Sequence, residues 1–117
     1  MLGTNDTKTR NWDPEVFRRD YRTIVESYLA LPSHPRVVLI APIQAFLIMG
    51  MPILGVCPDN LEEGVRPAIR EIAYETGLEL IDLKDLFTDN TYCRDGVHPQ
   101  RIGAQMLAEA IYTAIQW

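Results

Sequence analysis

Pro35-Arg36-Val37-Val38-Leu39-Ile40-Ala41-Pro42 holds a continuously apolar run rich in β-branched residues, Val37 to Ile40, set between two prolines. A strand wetted on one face alternates polar and apolar residues, whereas an unbroken apolar run suits a strand covered on both faces, as in a parallel sheet. Pro42 ends it, because proline has no N–H for the ladder.

Upstream, Asp13-Pro14-Glu15 offers an N-cap, a proline at the first helical position and an acid in the first turn, so a helix is expected to start there. Phe17, Tyr21, Ile24, Tyr28 and Leu31, joined by Val25 and Leu29, draw its apolar stripe at spacings of four and three, up to a stop near Pro32. Downstream, residues 43–59 place Gly50, Pro52, Gly55 and Pro58 among apolar residues without steady periodicity, which predicts a long loop on the substrate side. Asn60 is expected to cap a second helix running to Thr76, with Leu61, Val65, Ile69, Ile72 and Ala73 inward, a kink at Pro67 and a stop at Gly77. Leu78 to Leu83 predicts a second strand and Asp85 to Asn90 a polar connection. A last helix is expected from Pro99 to Ile115, with Ile102, Met106, Ala110, Ile111, Ala114 and Ile115 on its buried face.

Helix, strand, helix, strand, helix is an α/β order with parallel strands joined by a helical crossover. A parallel pair normally sits inside a larger sheet, so the chain reads as one domain, residues 1–117, that is part of such a layer. The composition, 47% hydrophobic and 23% charged, is that of an ordinary globular domain. Net charge is −5 with the 11 basic residues scattered, which argues against nucleic acid as a partner. No apolar stretch is long enough for a membrane span, and the Met1 segment turns polar at once, so no signal peptide is visible; the compartment stays open. Cys57 and Cys93 belong to no CxxC or Cys/His cluster and are read as structural or free thiols.

Two short segments can carry chemistry. In Asp95-Gly96-Val97-His98-Pro99 the spacing, with Gly96 free to adopt positive φ, lets the carboxylate fold back onto imidazole Nδ1 and leaves Nε2 to accept a proton. The plainer alternative makes Asp95 a turn former and His98 a helix-start residue. In Leu2-Gly3-Thr4-Asn5-Asp6, a glycine turn can aim the Asn5 amide at a developing oxyanion, or Asn5 and Asp6 can simply bond local backbone. No metal is expected, since His34, the other histidine, lies in a proline-flanked turn and no third ligand accompanies the pair.

Together, Gly3-Thr4-Asn5-Asp6 and Asp95-Gly96-Val97-His98-Pro99 resemble the third and fifth sequence blocks of the SGNH (GDSL-like) hydrolases. The resemblance covers essentially the whole chain. Asn11-Trp12, Phe17, Asp20-Tyr21, Leu31-Pro32, Pro35-Arg36-Val37, Pro67-Ala68-Ile69-Arg70 and Leu80-Ile81-Asp82-Leu83 look like the bacterial carbohydrate-esterase and sialate O-acetylesterase-like branch, often secreted or periplasmic. It implies a partial flavodoxin-like three-layer α/β/α fold whose N-terminal strands are missing. It further implies a cofactor-free hydrolase of acyl or acetyl esters, on carbohydrate in this branch, working by a Ser-His-Asp mechanism. In that mechanism His98 is the base, Asp95 its orienting acid and Asn5 an oxyanion donor, with Gly3, Thr4 and Trp12 on the substrate side.

The family also needs a serine in a GDS-type segment and a glycine in a second block, both upstream of the asparagine segment, and this chain has neither. Its only serines are Ser27, on the first expected helix, and Ser33, in the turn after it. Cys57, in a proline- and glycine-rich loop without a nearby cation, is a poor substitute. Trp12 and Tyr92 flank the two motifs and can form a sugar-binding rim or pack in the core. Two readings follow: an ester hydrolase whose missing N-terminal half supplies the nucleophile, or a non-catalytic pseudo-enzyme that self-associates, as a homodimer, through its open sheet edge and apolar helix faces.

Overall fold

Asp13 opens the first helix, α1 (Pro14–Leu29), as expected: its carboxylate accepts from the backbone N–H groups of Glu15 at 3.0 Å and Val16 at 3.1 Å. This computed structural model of the chain describes residues 1–115. After α1 come β1 (Val38–Ala41), a short helix α2 (Pro58–Asn60), a π-turn (Leu61–Val65), α3 (Arg66–Thr76), β2 (Glu79–Asp82) and α4 (Arg101–Ala114). The two strands are parallel, in the register Val38↔Glu79 to Ala41↔Asp82. Arg36 grips Glu79 with two hydrogen bonds, Nε to Oε1 at 2.9 Å and NH2 to Oε2 at 2.7 Å, across the start of the pair.

Both faces of the sheet are covered, which is why β1 has no polar alternation. Leu39 and Ala41 point into a core shared with Phe17, Tyr21 and Val25 of α1 and Ile69, Ile72 and Ala73 of α3. Ile40 and Ile81 point the other way, toward Phe87, Cys93 and the Met106, Leu107, Ala110 and Ile111 face of α4. The result is three layers, α1 and α3, then the strands, then α4. Each fully buried aromatic or aliphatic side chain contributes roughly 1.5–3 kcal/mol to holding them together.

Several expectations need correction. On α1 only Phe17, Tyr21 and Val25 are buried, while Ile24, Tyr28, Leu29 and Leu31 are exposed. Asn60 does not cap a helix: Pro58 already begins it, and the Asn60 amide donates to the Thr7 carbonyl at 3.0 Å. The kink expected at Pro67 is replaced by a π-turn before it, closed by Arg66 N–H to Leu61 C=O, and Pro67 sits in the first turn of α3, where its missing N–H costs nothing. Gly77 ends α3 in the left-handed conformation, as expected. α4 starts at Arg101, not Pro99; Ile102 is 64% exposed, and Gly103 fits tightly against Tyr92 instead. Among the described residues no helix is long and apolar enough to cross a membrane.

Arg66, fully buried, had no role in the sequence-based reading. Its NH1 donates to Asp82 at 3.2 Å and its Nε lies 3.0 Å from Glu62, which also pairs with Lys84, so the start of α3 is tied to the end of β2. Burial pushes the guanidinium pKa down, and the flanking carboxylates oppose that.

Candidate active site

The loop between β2 and α4 folds Asp95 around itself. One carboxylate oxygen, Oδ1, accepts from the N–H groups of Val97 at 2.9 Å and His98 at 2.7 Å, while Oδ2 lies 2.7 Å from His98 Nδ1. Asp95 is thus both turn former and partner of the imidazole. The backbone N–H of His98, then its ring, then the N–H of Val97 hold the Asp95 carboxyl down at about 2. The His98 side chain is 66% exposed, and Nε2 makes no hydrogen bond among the described residues.

The loop is seated by its glycine. Gly96 takes φ +86°, its carbonyl accepts from Phe46 N–H at 2.8 Å, and a Cβ there would stand 2.2 Å from the Phe46 carbonyl oxygen. Cys93, buried behind it, has its thiol pushed up by burial and then by the charge of Asp95.

Asn5 opens a single 3-10 turn, Asn5–Thr7. Gly3 makes the turn possible, with φ +118° and room for no side chain: a Cβ would stand 2.5 Å from Val65. Buried Thr7 then ties the turn down. Its hydroxyl donates to Thr4 C=O at 2.7 Å and accepts from Cys57 N–H at 3.2 Å. The Asn5 and Asp6 side chains make no hydrogen bond among the described residues, so neither is spent on local backbone.

The two motifs are held at opposite ends of one connection, the 42–57 segment: Phe46 anchors the His98 loop and Cys57 anchors the Asn5 turn. That segment leaves the carboxyl end of β1, the edge where parallel α/β sheets bind ligands. No hydrogen bond joins Asn5 to His98. Neither serine reaches His98 by a hydrogen bond; Ser27 donates to Thr23 C=O on α1. Trp12 lies against Gly64, where a Cβ would be 2.2 Å from the ring, and against Phe17 at 5.8 Å between centroids; it also lines a cavity of about 240 Å³ with Leu2, Asp6 and Asp20. Tyr92 packs on Phe87 at 5.6 Å and belongs to the second core. Sequence reasoning missed Thr7, whose anchoring role depends on contacts fifty residues away.

The family model of the GDSL-like lipase/acylhydrolases matches residues 1–106, which include both motifs. The chain belongs to this family. An acetylxylan esterase of Xylanibacter ruminicola is 30% identical over 135 aligned positions, which take in 98% of this chain and 27% of that protein. The esterase domain of the ZfL2-1 ORF1 protein from a zebrafish retrotransposon superposes with a TM-score of 0.67 at 22% identity, over 97% of this chain and 64% of that one. The α/β fold with parallel strands is therefore a partial GDSL-like esterase fold. The chain spans about a quarter of the acetylxylan esterase and under two thirds of the zebrafish domain.

Proposed function

We propose that residues 1–117 are the C-terminal portion of a GDSL-like domain that hydrolyses acyl or acetyl esters, on carbohydrate as the acetylxylan esterase's name suggests. The observation that carries the reading is the Asp95–His98 pair, oriented through Nδ1 with Nε2 left open. His98 Nε2 takes the proton of an attacking hydroxyl and returns it to the leaving alkoxide. Asp95 fixes the tautomer and stabilises the imidazolium, and the uncommitted Asn5 amide donates to the tetrahedral oxyanion. The nucleophile is a serine from a segment outside residues 1–117, since Ser27 and Ser33 sit on or just after α1 with no link to the base. Gly3 and Thr4 shape the Asn5 turn on the substrate side, and Trp12 lines the cavity that runs from Leu2 and Asp6 along the first helix.

The purified chain, folded, should neither turn over p-nitrophenyl acetate nor label with a fluorophosphonate. Joined to the serine-bearing segment, it should do both. Labelling of the isolated chain, with turnover abolished by His98→Ala, would place the nucleophile inside it and overturn the external serine. In the joined enzyme Asn5→Ala should cost on the order of 10²–10³ in kcat, with KM little changed, because the donor acts on charge that develops in the transition state.

A second reading, a self-associating module without catalysis, is favoured by the 38–41 strand, which among the described residues pairs on one side only, and by the exposed Ile24, Tyr28 and Leu31. Light scattering at two concentrations separates the two: a dimer that dissociates on dilution supports this reading, and a monomer at both removes it.

A further inference from the structure

The connection after β1 holds apolar side chains in water. From Pro42 to Pro58 no residue is charged. Burial of Ile43, Ala45 and Val56 in the two cores explains part of that composition. It does not explain Leu47, Met49, Met51 and Leu54, which are 51%, 97%, 65% and 64% exposed. Ile48 and Met51 form a small hairpin, each N–H donating to the other's carbonyl at 3.0 Å. The turn between them puts Met49 at φ +51° and Gly50 at φ +74°. Met49, and Leu54 at φ +56°, therefore occupy the left-handed region that a side chain disfavours. The two positive φ values at Met49 and Gly50 are those a two-residue hairpin turn requires, but burial among the described residues does not account for the four exposed apolar side chains, and a cluster of this kind marks a contact surface.

The hairpin is attached to the loop that carries the base. Phe46 N–H donates to the Gly96 carbonyl, and the Ile48 side chain flanks Gly96, two residues before His98. We infer that Leu47, Met49 and Met51 form the acyl-side wall of the site and select esters whose acyl chain is longer than acetyl. This rests on the ester-hydrolase reading above. A surface without a charged side chain has little to offer sugar hydroxyls, whereas unbranched, polarisable methionines adapt to a flexible alkyl chain. The source is a soluble acyl ester, whose chain lies along the hairpin while its carbonyl faces His98.

The test is binding by the 117-residue chain, which needs no nucleophile and so stands apart from the test of hydrolysis. With methyl-labelled methionine the four resonances of Met1, Met49, Met51 and Met106 are read at constant pH during titration with sodium hexanoate, with acetate as the control for charge. Hexanoate should move the Met49 and Met51 methyls and the His98 ring together, and leave Met1 and Met106 in place. Acetate should not move the methionines. Met49→Ser with Met51→Ser, at exposed positions, should weaken hexanoate binding about tenfold, by removing the apolar contact area. Equal shifts at all four methionines, or a His98 response that persists in the double variant, would overturn the assignment. So would Met49 and Met51 responding only to phosphatidylcholine vesicles with the His98 ring unmoved, which would make the hairpin a surface anchor.

Discussion

Turnover of the joined, serine-bearing enzyme is expected to fall about 10⁴-fold when His98 becomes alanine, and by a similar factor for Asp95→Asn. The asparagine variant is the sharper experiment. Its side-chain oxygen can still accept from the Val97 and His98 N–H groups, as Oδ1 of Asp95 does now, so the turn should persist and the thermal midpoint change little. What changes is the group facing Nδ1: an amide N–H₂ there favours the tautomer that protonates Nε2, which can no longer accept a proton. Undiminished turnover in either variant would refute the assigned base. The pH profile adds a check of sign. Because the folded Asp95 carboxyl titrates at about 2, below its ordinary 3.8, the contribution of its charge is complete above the ordinary value and is lost only as pH falls toward 2. An acidic limb in kcat well above that range belongs to another group, and Asp95→Asn should not move its midpoint by removing a titration.

The second large effect is expected from Gly96→Ala. Two costs combine: a left-handed φ of +86° for a residue with a Cβ, and that Cβ 2.2 Å from the Phe46 carbonyl oxygen, which forces the loop away and breaks the Phe46–Gly96 hydrogen bond. Together they should cost about 2–3 kcal/mol, a fall of roughly 10 °C in Tm. Gly77→Ala is the control. Its φ is +69° but nothing lies within 4 Å of the added methyl, so it should show only the conformational part, about 1 kcal/mol. If the two variants melt alike, the contact with Phe46 is not what seats the His98 loop. If Gly96→Ala alone also loses turnover, the loop's seat is what places the base.

What could be read from the sequence was local. The Asp13-Pro14 start of α1, the both-faces-apolar strand, the inner residues of α3 and the Gly77 stop depend on neighbours within a few positions, and the structure has each of them. The Asp95–His98 contact was legible for the same reason, since three residues and a glycine suffice to close it. The failures are tertiary. Asn60 has a capping side chain, but the Thr7 carbonyl takes its amide from fifty-three residues away. The α1 stripe was drawn too wide, because α3 and the strand cover only the Phe17, Tyr21 and Val25 side, with the Arg18–Glu71 and Arg22–Glu75 pairs along the seam. Trp12, for which the sequence left a sugar-binding rim and core packing open, is half-buried against the flat seat that Gly64 leaves for its ring and also lines a cavity, a fit that no spacing rule announces.

The π-turn at Leu61–Val65 amounts to one residue more than an α-helix of the same span would hold. Each helical residue advances the chain by about 100° of rotation, so the extra residue sets the angular phase of everything upstream of it relative to α3. Phase is what lets Asn60 face Thr7 while Ile69 and Ile72 face the sheet. A chain shortened by a single residue here would keep its composition, its core and its helix, yet turn Asn60 by about a quarter of a circle and release the Asn5 turn. The length of this segment thus matters alongside its side chains, because it sets which way each of them faces.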